Sequence, residues 1–346
     1  MALIHAYAFF VITYFNYYEN LCNSYKTRSF LLFLQNILQV IIPLFLILFI
    51  NKNSYYERVL GSSGGLFIVA IVLFFAVLRH QRLVNITFYR YALIISLPSV
   101  LTSVSSLAMQ NCDHIMITSM CGAEYTAVYG FMYNIGNVIL IILTGVSGPV
   151  TAWIYNALDK KKVKAAIIGQ KWYFLFFILI ITIILMFFPE FIKLVVSDSY
   201  WDFRYIAPFV LGSSLAIVNT LHGDIITFYK KTGRISLCVG IAAICNLLLN
   251  YYFIKKFGAI AAAYTSFVSY LLQAILYRIV LKGIRKNIFS DFYSLLYLAT
   301  VIFLSFSFIV LCDHMILRYL IYSVVLSILI IKIIINRKEI EILIKA

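Results

Sequence analysis

Apolar residues run along this chain in eleven long stretches, near 3–18, 28–51, 62–79, 91–119, 124–155, 172–190, 205–229, 234–254, 259–281, 292–312 and 316–335. A bilayer core about 30 Å thick is crossed by about 20 apolar residues wound as a helix. Each stretch therefore predicts a transmembrane helix, and the short polar segments between them predict antiparallel neighbours in a compact bundle. The fold class expected is an all-α, polytopic membrane bundle of about eleven helices.

Charge gives the bundle an orientation. When sides alternate along the chain, one side receives only Lys52, Arg58, Lys193, Arg204, Lys255, Lys256 and Arg318, and the other 21 of the 28 basic residues fall opposite. Lys and Arg collect in cytoplasmic loops, so the second side is predicted to be inside and the C-terminus cytoplasmic. The net charge of +15 is thereby explained by topology and anionic headgroups, and a nucleic-acid partner is not implied. With 63% hydrophobic and 12% charged residues, a soluble domain and a disordered chain are both excluded.

Polar residues inside the apolar stretches form stripes. On the helix at 91–119, Ser96, Ser99, Thr102, Ser103, Ser106, Gln110 and Asp113 recur at steps of three or four, which puts them on one face. The next helix offers Asn134, Asn137, Thr144, Ser147 and Thr151; the helix at 259–281 offers Ser266, Ser269, Gln273 and Tyr277; that at 205–229 adds Thr220 and Asp224. Polar groups are costly in hydrocarbon, so such faces are expected to turn into the bundle or toward a wet path. Helix packing through small and hydroxyl side chains is the other reading of the same stripes. Arg90 and Arg278 lie at the inner ends of their helices, where an arginine either reaches out to the interface or holds a phosphate in bidentate fashion. Asp113 and Asp224 could bind a coupling proton or Na⁺.

Other chemistry is thin. Two Cys-Asp-His tripeptides, at 112–114 and 312–314, echo each other, but the six cysteines show no ligand spacing and read as small buried apolar residues. No metal site or cofactor is predicted. No GxSxG, HExxH, Walker A loop or compact carboxylate pair is present, so the chain is not expected to be an enzyme.

Two hairpins look alike. Tyr25-Lys26-Thr27-Arg28-Ser29 opens one, and Tyr229-Lys230-Lys231-Thr232-Gly233-Arg234-Ile235-Ser236 opens the other. Each turns at a short outer segment with Gly61 or Gly258 and closes on a basic loop, 79–82 or 282–286. Both share one orientation, which suggests a parallel repeat relating 1–90 to roughly 205–290.

The run Ser96-Leu97-Pro98, then Asp113-His114-Ile115-Met116-Ile117, Gly122 and Ala127-Val128-Tyr129-Gly130, resembles oligosaccharide flippases of the MOP exporter superfamily. So does Asn246-Leu247-Leu248-Leu249-Asn250 followed by Gly258-Ala259-Ile260-Ala261-Ala262-Ala263, with Ala261 where that family's pattern has its second Gly. The likeness covers about residues 1–290 and is to the Wzx type, which moves undecaprenyl-pyrophosphate-linked repeat units of O-antigen, capsule or exopolysaccharide across the bacterial inner membrane. It implies two six-helix lobes. Residues 1–90 would be the last three helices of the first lobe, 91–281 the second lobe, 292–335 two further helices and 336–346 a cytoplasmic tail, with about three N-terminal helices lacking.

The resemblance implies alternating access for a lipid-linked oligosaccharide, with membrane lipids and other polysaccharide-assembly proteins as partners. Arg90 and Arg278 would meet the pyrophosphate. Ser99, Ser103, Ser106, Gln110, Asn134, Asn137 and Gln273 would line the path of the sugars, and Asp113 or Asp224 would carry a coupling ion. The rival expectations are a cation-coupled drug or metabolite antiporter of the same superfamily, a membrane polysaccharide polymerase, and an inactive fragment.

Overall fold

The structure, a computed structural model, describes residues 2–21, 25–50, 54–78, 86–195, 202–284, 290–336 and 339. Cys22, the basic loop at 79–82, Asn85 of an Asn-Ile-Thr sequence, Arg285 and Lys286, and most of the tail at 336–346 lie outside the described residues. Among those described, every regular element is helical: α1 (Ala2–Leu21), α2 (Tyr25–Ile50), α3 (Ser54–Leu78), α4 (Ile86–Met120), α5 (Ala123–Gly136), α6 (Val138–Asp159), α7 (Val163–Val195), α8 (Ile206–Phe228), α9 (Thr232–Phe257), α10 (Ile260–Ile284), α11 (Asp291–Leu311) and α12 (Met315–Ile335), with a short 3-10 turn at Phe203–Tyr205.

Ten of the described spans are long and apolar enough to cross a membrane, and Leu3–Asn16 is a shorter apolar run. The stretch expected as one helix at 124–155 is divided at Asn137 into α5 and α6. The break is slight. Asn137 keeps helical dihedrals, its N–H still donates to Tyr133 O at 2.9 Å, and its carbonyl accepts from Ile141 N at 3.0 Å.

The chain forms two compact units, 1–90 and 91–346. In the first, α3 packs on both α1 and α2 around Ala8, Ile12, Leu66 and Ala70, all fully buried. A proline sits inside α2, and the contact at Gly61 allows α3 to pass close beside it. A Cβ on Gly61 would lie 2.6 Å from Pro43 Cα, which no real side chain tolerates. The glycine is thus required by close backbone approach.

The second unit is built around α8, which is buried along most of its length from Ile206 to Ile226. It packs against α6, α10 and α11, while α9 lies on α10 and α7 carries α11 and α12. In the 2–78 and 206–284 triplets alike, the third helix is the one that packs on both others. The α9–α10 turn needs Gly258, whose φ of +76° is left-handed. Ring contacts fill the core: Tyr129 meets Tyr205 and Phe209 edge-on at centroid distances of 5.9 and 5.3 Å, and Phe174 stacks on Tyr297 at 4.6 Å. α12 is fastened to α7 by the buried Arg318. Its guanidinium pairs with Glu190 and donates to Met186 O at 3.2 Å and Cys312 O at 2.6 Å.

Candidate functional site

Within the second unit, five helices line a cavity of about 390 Å³ that carries polar side chains from α4, α6, α8 and α10 and Ile235 from α9. The lining side chains follow helical spacing, so each helix offers one face. From α8 come Asn219, Thr220, Asp224 and Thr227; from α10, Tyr270, Gln273 and Tyr277; from α4, Ser106 and Gln110; from α6, Thr144. A larger cavity of about 500 Å³ beside Trp153, Trp172 and Tyr173 is almost wholly apolar. Its one amide, Gln170, is occupied in holding Ser294 Oγ at 2.9 Å and the backbone of Ser290. The polar chemistry therefore belongs to the smaller cavity.

Three of its hydroxyls are turned to their own helices. Thr144 donates to Ile141 O at 2.7 Å, Thr220 to Ala216 O at 2.9 Å and Thr227 to Gly223 O at 2.8 Å. With the hydrogen used, each presents lone pairs to the cavity. Asp224 Oδ2 accepts from Thr151 Oγ1 at 2.6 Å, which fixes the carboxylate and leaves Oδ1 for a ligand. Asn219 spans α8 and α10 by donating to Tyr270 O at 3.1 Å. That bond sets the amide's orientation, and its buried Oδ1 receives no donor.

A second polar group lies apart from this cavity. Asp113, 1% exposed, accepts from Tyr129 Oη and Ser266 Oγ at 2.7 Å each and from Asn250 Nδ2 at 2.5 Å. Asn250 reaches Asn246 Oδ1 at 3.3 Å and meets Thr265 Oγ1, so α4, α5, α9 and α10 are joined through one carboxylate. Three donors thus converge on one buried carboxyl group and satisfy it away from water.

The expected site residues separate into three groups. Ser106, Gln110, Gln273 and Asp224 do come together at the cavity. Asp113 sits in its own network, away from it. The remaining six are elsewhere. Arg90 belongs to the first unit and is exposed there; Asn134 is exposed, as are Ser99 and Ser103, and Ser103 donates to Ser99 O on its own helix at 3.1 Å. Asn137 stands at the α5–α6 junction beside a void of about 30 Å³, and Arg278 is ion-paired with Asp291.

The polar face read along α4 coincides only in part with the face that packs. Thr102, Ser105, Ser106, Met109, Asp113 and Ile117 turn inward, whereas Ser96 and Ser99 are as exposed as Leu97 and Val100. Thr102 meets Ser236 of α9 at 2.9 Å. Sequence reasoning missed Asn219 and Tyr270 as cavity residues. Asn219 had a signal in its place, five residues before Asp224 and next to Thr220. Tyr270 had none, since its ring and its carbonyl find their roles only against α8.

The architecture has a known counterpart. A solved structure described as lipid II flippase MurJ in its inward closed conformation superposes with a TM-score of 0.54 at 16% sequence identity, covering 84% of this chain and 65% of that one. The fold is MurJ-like. The present chain spans 65% of the length of that flippase. No protein-family model matches the sequence, and no curated protein sequence matches it.

Proposed function

We propose that the protein moves a lipid-linked glycan across the membrane. The observation that carries this reading is a hydroxyl-, amide- and carboxylate-lined cavity inside an apolar bundle whose fold is shared with a flippase. A sugar headgroup cannot cross hydrocarbon with its hydroxyls unpaired, because each lost hydrogen bond costs several kcal/mol, roughly 2–7. The cavity replaces that lost water with protein donors and acceptors, while the polyprenyl tail stays in lipid. No covalent bond is made or broken. The substrate class proposed is the undecaprenyl-pyrophosphate-linked repeat unit of a surface polysaccharide, in a bacterial inner membrane with the C-terminus cytoplasmic.

Within this reading we assign roles to the expected residues. Ser106, Gln110 and Gln273 bind sugar hydroxyls. Arg278 is committed to Asp291, so Arg90 is the arginine assigned to the pyrophosphate. Asp113 or Asp224 is the group assigned to a coupling ion, each a carboxylate inside the bundle.

The test is reconstitution of the purified chain in vesicles carrying a fluorescent undecaprenyl-pyrophosphate N-acetylglucosamine on one leaflet. Loss of the label's protection from an impermeant quencher, at a rate set by protein content, is expected. A rate equal to that of protein-free vesicles would sink the proposal. A second reading, a cation-coupled antiporter of small metabolites, draws on Asp113 and predicts counterflow of a soluble cationic dye with no effect on lipid.

A further inference from the structure

The cavity's charge is one-sided. Asp224 is its one charged lining group among the described residues, and no Lys, Arg or His joins it. Along α10 the nearest base, Arg278, is held by Asp291. Asn219 Oδ1 is buried without a donor, Asp224 Oδ1 is left over from the bond to Thr151, and the threonines have already given their hydrogens to backbone carbonyls. The wall at Asp224 and Asn219 therefore offers acceptors and asks that part of its ligand for donors, while Ser106, Gln110 and Gln273 can donate elsewhere.

We infer that this cavity selects its glycan by charge, admitting neutral or amine-bearing sugars beside Asp224 and Asn219 and rejecting carboxylate-bearing ones. The inference rests on the translocation reading above. A hydroxyl or ammonium supplies hydrogens to both vacant acceptors, whereas a carboxylate is acceptor-only and negatively charged, and so is mismatched twice. A second negative charge within about 6 Å of an ionised Asp224 is disfavoured about 100-fold at an effective dielectric constant of about 20.

The experiment compares three lipids in the vesicle assay at mildly alkaline pH, where a carboxylate is ionised. Undecaprenyl-pyrophosphate carries glucose, glucosamine or glucuronic acid. Glucose and glucosamine lipids are expected to cross at least about 10-fold faster than the glucuronic acid lipid, and Asp224→Asn is expected to narrow that ratio by about 10-fold. Equal wild-type rates, or a ratio unmoved by Asp224→Asn, would overturn charge selection while leaving translocation intact. If Asp224→Asn does not fold, the wild-type ratio decides alone.

If no lipid crosses, translocation itself falls, and charge selection is then read without transport. Thr220→Cys, in a background with the native cysteines replaced, is modified by cationic and anionic methanethiosulfonates of similar size. A cationic preference above that of a free thiol, abolished by Asp224→Asn, is expected; no such preference overturns the inference.

Discussion

Replacing Asn250 by Leu removes one donor from the Asp113 carboxylate while nearly preserving volume. Asn250 is fully buried, and its amide lies 2.5 Å from Asp113 Oδ1 and 3.3 Å from Asn246 Oδ1. After the change Asp113 keeps only Tyr129 and Ser266. Two magnitudes compete. Interhelical hydrogen bonds in membranes average about 0.6 kcal/mol, because the unfolded chain finds other partners there. A bond to a charged acceptor contributes about 1.5–3 kcal/mol, and leaving a buried charge short of donors costs at the upper end. Three donors converging on a carboxyl group that is 1% exposed put this site in the second regime. Asn250→Leu is therefore expected to lower stability by about 2–3 kcal/mol, with a coupling of about 1.5–3 kcal/mol in a cycle with Asp113→Leu. The assay is SDS-induced unfolding in mixed micelles, followed by far-ultraviolet circular dichroism. A coupling at or under about 0.5 kcal/mol would refute the reasoning, because the pair would then be an ordinary neutral contact.

Three further outcomes can be checked on the same unfolding curves. Gly61→Ala drives a Cβ into the Pro43 backbone and should cost about 1–3 kcal/mol, whereas Gly64→Ala, with open space around it, should gain about 0.5–1 kcal/mol of helix stability. A similar loss at both positions would contradict the close α2–α3 approach. Arg318→Met strands Glu190 and two backbone carbonyls, so a loss of about 3–5 kcal/mol is expected; a loss under about 1 kcal/mol would mean that α12 is held by packing alone. Arg204→Ala breaks an ion pair whose arginine is 76% exposed, and should change stability by no more than about 1 kcal/mol.

Much of the candidate site was legible along the chain, and the reasons for the rest are specific. Gln273, Asp224 and Gln110 stood out because amides and acids are conspicuous in apolar stretches, and they do share one cavity. Asn219 was hidden by its neighbour Thr220, and the ion pair of Arg278 was not visible because its partner Asp291 lies beyond the next loop. Asp113 was visible as an intramembrane acid, but its donors Asn250 and Ser266 stand 137 and 153 residues away.

The amino-acid sequence by itself determined where the helices run, since span length and apolar content are local properties matched to a bilayer of fixed thickness. It also placed the tight turn at Gly258, whose positive φ suits a residue without a Cβ; Gly61, expected in the matching outer turn, instead lies inside α3 against Pro43. Only the tertiary structure decided which face of each helix turns inward. In a soluble protein, water would make that choice readable as amphipathicity. Lipid is as apolar as the core, so Leu97 and Val100 can be exposed beside Ser96 and Ser99, and inside differs from outside only through the packing of neighbouring helices and the few polar pairs they bring together.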